Sequence, residues 1–338
     1  MQIGATPEQV AQVEQAIERA GFRAFLNPGV ERKVLAVLGV VDAQKATYSD
    51  RFARLPGVER VALISEPYKL ASRETRAKKT VVQVGGVQIG SDTLAIIAGP
   101  CSVETREQTL NTARAVKEAG ANLLRGGAYK PRTSPYAFQG LGPKGLEILD
   151  EAKRETGLPV VTEVLDPHDI PAVAKHADMI QIGARNMQNF RLLQRVGKTG
   201  LPVLLKRGPG SRIRDLLMAA EYIMLEGNSH IVLCERGIST FEDSTRYTTD
   251  VNAIPVLQRM THLPVILDPS HSTGDWRYVG PVALAGIAAG ADGIMVEVHP
   301  EPEQALSDGP QSLRPNDFAQ LMRQIRKVAR AVGRKVPA

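Results

Sequence analysis

Residues 94–125 read LAIIAGPCSVETREQTLNTARAVKEAGANLLR, and this stretch decides the fold. Leu94–Ala98 is a continuous apolar run typical of a buried strand, and Ala121–Arg125 is a second one. Between them, Arg106–Glu118 has the apolar periodicity of a helix. A strand, a helix and a strand in roughly 30 residues form a βαβ unit, whose two strands are parallel.

The same alternation continues along the rest of the chain. Six further strands are predicted at Pro159–Glu163, Met179–Gly183, Pro202–Lys206, His230–Glu235, Pro264–Asp268 and Gly293–Glu297. The further helical patterns are Lys144–Thr156, His168–His176, Asn189–Val196, Ile213–Glu226, Val251–Met260, Val279–Ala289 and Pro315–Val332. Eight such pairs in about 240 residues predict a (β/α)8 TIM barrel. An open doubly wound sheet is the weaker interpretation, because no Gly-x-Gly-x-x-Gly turn follows the first strand.

Residues 1–66 predict a separate, smaller unit. Thr6-Pro7-Glu8-Gln9 indicates a helix start, with a capping threonine before a proline. The predicted order is β-α-β-β-α-β, with a short first strand and a last strand over Val58–Ile64, which is ferredoxin-like. Such a module commonly binds effectors or pairs subunits, and a purely structural role is the alternative.

The boundary between the two units is predicted from charge. Residues 67–79 are rich in lysine and arginine and predict a linker, so that residues 80–338 form the barrel. The barrel segment opens with a predicted hairpin through Gly85-Gly86.

Composition excludes several classes of protein. The chain has 338 residues, with 42 lysines and arginines against 36 acids, hence a net charge of +6. The basic residues are scattered and form no aromatic-interleaved stripe, so nucleic-acid binding is not expected. Two cysteines make no disulfide framework and indicate a reducing cytoplasm. No apolar run approaches about 18 residues, so no membrane span is expected.

Five cations lie at or just after the ends of four predicted strands. The set is Arg125, Lys130, Arg185, Lys206 and Arg236. In a barrel, the C-terminal ends of the strands meet at one rim. Cations gathered there repel one another and require anions, such as a phosphate and a carboxylate. For any one of them alone, an ion pair with a neighbouring acid is the alternative.

A second set offers one thiol, one imidazole and two carboxylates. Its members are Cys101, His271, Glu297 and Asp308. Together they could hold one divalent metal ion, and mixed ligands of this kind fit Mn, Fe, Co or Zn. Singly they have other interpretations: a core cysteine, a structural histidine, an ion-paired glutamate and a turn aspartate. The residues alone leave both possibilities open.

These segments resemble the type I β 3-deoxy-D-arabino-heptulosonate 7-phosphate (DAHP) synthases. The matching stretches are Ala98–Ser102, Leu124–Ser134, Ile182–Asn186, Leu204–Gly208, Leu233–Gly237, Asp268–Ser272 and Val296–Pro300. The resemblance covers residues 80–330, and the N-terminal unit resembles the ferredoxin-like regulatory domain that some members carry.

The resemblance implies condensation of phosphoenolpyruvate with erythrose 4-phosphate, the first step of the shikimate pathway. The five cations would bind phosphoenolpyruvate. Lys130 would also donate a proton to the aldehyde, and Glu163 would be a supporting acid or base. The residues implied for erythrose 4-phosphate are Pro131, Arg132, Thr133 and Ser134. The second set would be the metal ligands.

The resemblance also implies a homotetramer and feedback by tyrosine or phenylalanine, for which Asn27 and Gly29 are candidate contacts. The nearest competing family is 3-deoxy-D-manno-octulosonate 8-phosphate synthase. Members of that family have Asn-Arg-Thr-Ser where this chain has Lys130-Pro131-Arg132-Thr133-Ser134. A Schiff-base aldolase using Lys206 and a non-catalytic barrel that senses phosphometabolites are two further possibilities.

Overall fold

The computed structural model describes residues 1–28, 33–63, 67–132 and 134–337. The chain divides into two compact units, Met1–Ala77 and Lys78–Ala338. Among the helices of the described residues, none combines the length and the apolar character needed to cross a bilayer.

The N-terminal unit combines an antiparallel pair of strands with two helices. Its elements are α1 (Pro7–Arg19), β1 (Arg23–Pro28), β2 (Lys33–Leu38) and α2 (Asp42–Ala53). As the sequence predicts, Thr6 caps α1, and Gln9 completes a capping box. Val13, Ile17 and Phe52 form its buried core.

The predicted outer strands of this unit are not found among the described residues. Residues 1–6 contain no strand, and the prediction of Val58–Ile64 is wrong for residues 58–63; Ile64 lies outside the described part. Val58 and Val61 instead pack as partly buried side chains on the helical core. The apolar side chains of this segment therefore serve core packing without the backbone pairing that a strand requires.

The C-terminal unit is a closed barrel of eight parallel strands. They are β5 (Ala95–Gly99), β6 (Leu123–Arg125), β7 (Val160–Glu163), β8 (Met179–Ile182), β9 (Val203–Lys206), β10 (Ile231–Glu235), β11 (Val265–Leu267) and β12 (Gly293–Glu297). All eight predicted strands are present, within a few residues of the predicted bounds. β12 pairs with β5, which places Glu297 opposite Gly99 and closes the ring.

Helices surround the barrel. They are α3 (Arg106–Ala119), α4 (Pro143–Thr156), α5 (Ile170–His176), α6 (Phe190–Gly197), α7 (Ile213–Met224), α8 (Ala253–Met260), α9 (Pro269–Thr273), α10 (Trp276–Ala288) and α11 (Pro315–Ala331). The short helix α9 is absent from the sequence prediction. Its start has a readable signal, because Asp268 caps it and Pro269 occupies its first turn.

A hairpin precedes the barrel, formed by β3 (Val82–Val84) and β4 (Val87–Ile89). Val82, Val84 and Ile89 are fully buried in one cluster with inward-facing residues of the barrel strands, including Ala95 and Met295. The hairpin contacts the barrel at the N-terminal ends of its strands, since Thr80 donates its backbone N–H to His262, just before β11. The opposite, C-terminal rim remains available for a site.

Candidate active site

A cleft lies at the C-terminal rim of the barrel, and it is lined largely by cations. They are Lys130, Arg132, Arg185, Lys206, Arg236 and Arg246. Four of the five cations that the sequence brings to this rim therefore meet in one place. Arg125 does not line the cleft; it is buried and donates to Glu297 and, at 2.8 Å, to the carbonyl of Cys101.

The predicted ligand set comes together beside this cleft. Ligand atoms of Cys101, Glu297 and Asp308 all lie within 4.8 Å of one another. The Nε2 atom of His271 lies 3.4 Å from Glu297 Oε1, so the fourth member joins the group. A thiol, an imidazole and two carboxylates within this distance fit a divalent ion of borderline softness.

Helix α9 positions His271. Asp268 accepts from the backbone N–H of His271 at 2.9 Å, and its other oxygen lies 2.8 Å from His271 Nδ1. Nδ1 is buried and this contact is not aligned as a hydrogen bond. Burial lowers the pKa of His271, and the charges of Asp268 and Glu297 oppose that effect. The neutral form of an imidazole is the one that binds a metal. A carboxylate behind a ligating imidazole is a common support of metal sites.

Glu297 is fully buried and ionised. Burial would raise its pKa, but His271, Arg125 and Lys130 outweigh that effect and lower the pKa of Glu297 to about 2. Gln311 donates to its second oxygen at 2.6 Å. The carboxylate is therefore held from two sides, by a guanidinium and by an amide.

Cys101 is surrounded by polar groups although it is buried. Its Sγ lies 3.1 Å from Lys130 Nζ, 3.1 Å from Ser307 Oγ and 3.3 Å from Asp308 Oδ2. Burial, with the charge of Glu297, raises the pKa of the Cys101 thiol to about 12. A divalent cation would favour the thiolate in this place, where the protein alone favours the thiol.

Buried guanidinium donors without partners face the same region. Within the described part of the chain, Arg125 Nε, Arg132 Nη2 and Arg236 Nε are buried and lack a hydrogen-bond acceptor. Arg236 stacks on the ring of Tyr247, with 4.5 Å between its Cζ and the ring centroid. Unsatisfied buried donors on cations are costly, and anionic acceptors would satisfy them.

Lys206 and Arg207 follow each other but make different contacts. Lys206 points to the cleft and pairs with the buried Asp268. Arg207 pairs with Glu235 at 2.8 Å and with Asp250 at 2.9 Å. The second network ties the end of β9 to the end of β10, and so fixes the backbone next to two cleft cations.

Glu163 lines the cleft, and one side chain donates a hydrogen bond to its carboxylate. Its Oε2 accepts from Gln181 Nε2 at 3.0 Å. Its Oε1 occupies the place that a side chain at position 183 would need, since a Cβ on Gly183 would collide with it. Gly183 therefore leaves room for the Glu163 carboxylate at the C-terminal end of β8.

The predicted sugar-phosphate segment is only partly described. Pro131 and Arg132 line the cleft, Pro131 accepts from Arg185 at 2.9 Å, and Ser134 is exposed. Thr133 lies outside the described residues, as does Gly29 of the predicted effector pair. Asn27 lies in β1, opposite Val34.

Several residues of the site were not predicted from the sequence. Asp268 carries a capping signal, but Gln181, Arg246, Tyr247 and Gln311 follow no pattern that singles them out. Arg246 reaches from a distant loop to Gln311 at 2.9 Å and to Asp308 at 3.6 Å. Such contacts depend on how loops cross the rim, which local sequence does not encode.

Comparisons with known proteins agree with this geometry. Residues 71–333 match the family model described as DAHP synthetase I family, and residues 1–66 match the DAHP synthase ferredoxin-like domain. The chain is 50% identical over 333 residues to phospho-2-dehydro-3-deoxyheptonate aldolase of Thermotoga maritima, covering 98% of each. A crystal structure of the enzyme from that organism has a TM-score of 0.79 and covers 99% of this chain and 97% of that one, at 50% identity.

A second group of relatives is more distant. The 2-dehydro-3-deoxyphosphooctonate aldolase of Syntrophobacter fumaroxidans is 33% identical over 268 residues, which are 74% of this chain and 92% of that relative.

Proposed function

Because the chain belongs to the DAHP synthetase I family, we infer that it condenses phosphoenolpyruvate with erythrose 4-phosphate and water. The products are DAHP and inorganic phosphate, and the reaction is the first step of the shikimate pathway. The predicted family, fold class and enzyme class are confirmed by the family models and by the Thermotoga maritima relative.

One observation supports this function most strongly. Cleft cations, two of them with unpartnered buried donors, lie next to a thiol, an imidazole and two carboxylates at one rim. Lys130 connects the cations with the candidate metal ligands, because it lines the cleft and contacts Cys101. The arrangement suits a substrate with a phosphate and a carboxylate held beside a polarised aldehyde.

Enzymes of this family depend on a divalent metal, and the residues present fit one. We propose that Cys101, His271, Glu297 and Asp308 hold an ion such as Mn, Fe, Co or Zn. When bound, the ion supplies Lewis acidity toward the aldehyde oxygen. Asp268 and Gln311 would orient His271 and Glu297 for it.

The side chains of the cleft account for the remaining chemistry. Lys130, Arg185, Lys206 and Arg236 hold the phosphate and carboxylate of phosphoenolpyruvate. Arg125, the fifth predicted cation, is buried and pairs with Glu297, so it acts on the substrate indirectly. As C3 attacks the aldehyde carbon and the new C–C bond forms, Lys130 gives a proton to the aldehyde oxygen. Glu163 lies beside the enol as a supporting acid or base. The attack leaves C2 cationic, and water adds there and gives up a proton to Glu163 or to the neutral Lys130. The C2–O bond to the phosphate group then breaks as the C2 hydroxyl loses its proton and becomes the ketone, which releases inorganic phosphate.

Pro131, Arg132, Thr133 and Ser134 would receive erythrose 4-phosphate. The buried Nη2 of Arg132 lacks an acceptor, which a sugar phosphate would provide. The more distant relatives are phosphooctonate aldolases, and the competing family uses arabinose 5-phosphate. Arabinose 5-phosphate is therefore the substrate to compare with erythrose 4-phosphate. A Schiff base on Lys206 is disfavoured, because that amine donates to Asp268.

The decisive experiment measures phosphate release from phosphoenolpyruvate. We expect release only with erythrose 4-phosphate, loss of release after chelation, and recovery on adding Mn²⁺ or Co²⁺. Arabinose 5-phosphate should support little turnover. Tight phosphoenolpyruvate binding without any phosphate release would instead identify a sensing barrel and contradict the proposal.

The N-terminal unit is proposed to be regulatory. Its match to the family's ferredoxin-like domain supports feedback by tyrosine or phenylalanine, with Asn27 and Gly29 as candidate contacts. We propose domain limits of 1–66, 67–79 and 80–338, a homotetramer and a cytoplasmic location, the last supported by two free cysteines. A chain of residues 78–338 should keep basal turnover and lose the response to both amino acids; retained inhibition would place the effector site in the barrel.

A further inference from the structure

A buried pair outside the cleft connects the loops that carry two of the candidate ligands. Glu104 follows Cys101 by three residues, and His299 follows Glu297 by two. Their side chains are 7% and 6% exposed, and their Oε2 and Nε2 atoms lie 3.4 Å apart. Neither residue lines the cleft or belongs to the candidate ligands.

The remaining contacts of Glu104 lead to the segment that carries Asp308. Its Oε1 accepts from Ser102 Oγ at 3.0 Å and from the backbone N–H of Leu306 at 3.0 Å. Leu306 precedes Asp308 by two residues. The Glu104 carboxylate therefore connects three segments, which are the loop that carries Cys101, the end of β12 and residues 300–308.

His299 is oriented for this contact. Its Nδ1 accepts from the backbone N–H of Glu301 at 3.0 Å, which leaves Nε2 as the donor that faces Glu104. A buried carboxylate and imidazole would be costly without partners, and here each is satisfied by the same loop.

The held segment has a backbone that requires support. Asp308 has φ 49° and ψ 36°, the left-handed region, and no other non-glycine residue of the described chain has a positive φ. A conformation of this kind costs on the order of 1 kcal/mol and persists only where neighbouring contacts fix it. It turns Asp308 toward Cys101, whose Sγ is 3.3 Å from Oδ2.

We propose that Glu104 and His299 are positioning residues that hold residues 300–308 in the conformation that binds the metal. The inference rests on the metal centre of the proposed function and adds to it two residues that act through Asp308. Their role is to preorganise the ligands before the ion arrives, as outer residues of metal sites commonly do.

The test uses the full chain, stripped of metal and titrated with Co²⁺ under anaerobic conditions. Charge-transfer absorption between thiolate and cobalt reports binding at Cys101. Glu104→Ala should weaken Co²⁺ affinity about 10- to 100-fold. Glu104→Gln, which keeps an acceptor oxygen, should lose less of the Co²⁺ affinity. At saturating metal both variants should recover turnover with nearly unchanged KM values, which loss of a catalytic group would not allow.

Hydrogen exchange of the metal-free proteins gives a second, independent readout. Glu104→Ala should speed amide exchange within residues 300–308, Leu306 above all, while the barrel strands stay protected. Glu155→Ala is the matched control, because it removes an exposed carboxylate that pairs with Arg114, ten residues further along the chain from Glu104.

Wild-type affinity and wild-type exchange in Glu104→Ala would overturn the proposal. If that variant does not fold, Glu104→Gln and His299→Gln decide it by the same measurements, and unchanged values in both would overturn it. A wild-type protein without cobalt–thiolate absorption would overturn the metal centre, whereas the exchange measurement would still decide whether the pair holds the loop.

Discussion

Cys101 and Cys234 are both buried, but only Cys101 lies among the candidate ligands. Cys234 belongs to the apolar core of the barrel, whereas Cys101 contacts Lys130, Ser307 and Asp308. We predict that Cys101→Ala lowers metal content and turnover at least about 100-fold, since loss of even an outer support of a metal site costs about 10- to 100-fold. Phosphate release and metal analysis measure both effects.

Cys234→Ala is the matched control for this prediction. It should keep its metal and its turnover, with only a modest fall in melting temperature from a small cavity. Full turnover by metal-stripped Cys101→Ala would contradict the role of the thiol.

Arg236 combines a stacked guanidinium with a buried donor that lacks a partner. A lysine cannot reproduce the planar fork or the stacking on Tyr247, so Arg236→Lys should raise the KM for phosphoenolpyruvate about tenfold or more. Steady-state kinetics with each substrate varied in turn measures this. Arg259→Lys on the outer face of α8 should have no effect, and an unchanged KM in Arg236→Lys would remove Arg236 from the substrate site.

At the residue scale, side-chain types were easier to predict from the sequence than side-chain partners. The cations and the ligand set follow strand ends, and a closed barrel brings strand ends together, so their meeting was predictable. The pairing of Arg125 with Glu297 and the reach of Arg246 to Gln311 were not. They depend on rotamers and loop paths that residues far apart in the chain decide jointly.

Among the elements, the hairpin of β3 and β4 contributes to stability rather than to the site. Val84 is fully buried against the barrel interior, at the end away from the cleft. We predict that Val84→Ala lowers the free energy of unfolding by about 2 kcal/mol and leaves kcat and KM unchanged. Denaturant unfolding and phosphate release measure the two quantities.

Gln88→Ala on the exposed face of the same hairpin is the control and should leave both quantities unchanged. A fall in kcat in Val84→Ala at a temperature where the protein is fully folded would show that the hairpin influences the rim.

Elements with strong periodicity were predicted well, and elements stabilised by tertiary context were not. The eight barrel strands are continuous apolar runs, which are stable only when they are buried. Their positions could therefore be predicted from the sequence. Residues 58–63 contain the apolar and β-branched side chains typical of a strand, but within the described part of the chain they pair with no strand. Helix α9 spans only Pro269–Thr273, too short for periodicity to reveal.

At the scale of the whole molecule, the candidate ligands lie on both sides of the seam where β12 meets β5. An ion bound by Cys101 and Glu297 therefore joins the first and last strands of the barrel. Free metal at about 100 times its Kd should stabilise the folded chain by about 2.7 kcal/mol. Thermal unfolding with and without chelator measures this shift, and Cys101→Ala should show almost none; equal shifts in both proteins would place the ion elsewhere.

Cys101 and Asp308 are separated by 207 positions along the chain. During synthesis the thiol leaves the ribosome long before the two carboxylates that are proposed to bind the metal with it. A polypeptide cut short anywhere before β12 carries at most two of the four donors and no means of keeping a cation. With the proposed ligand set, all four donors are available to a cation only after Asp308 has been synthesised, so loading would follow translation of nearly the whole barrel.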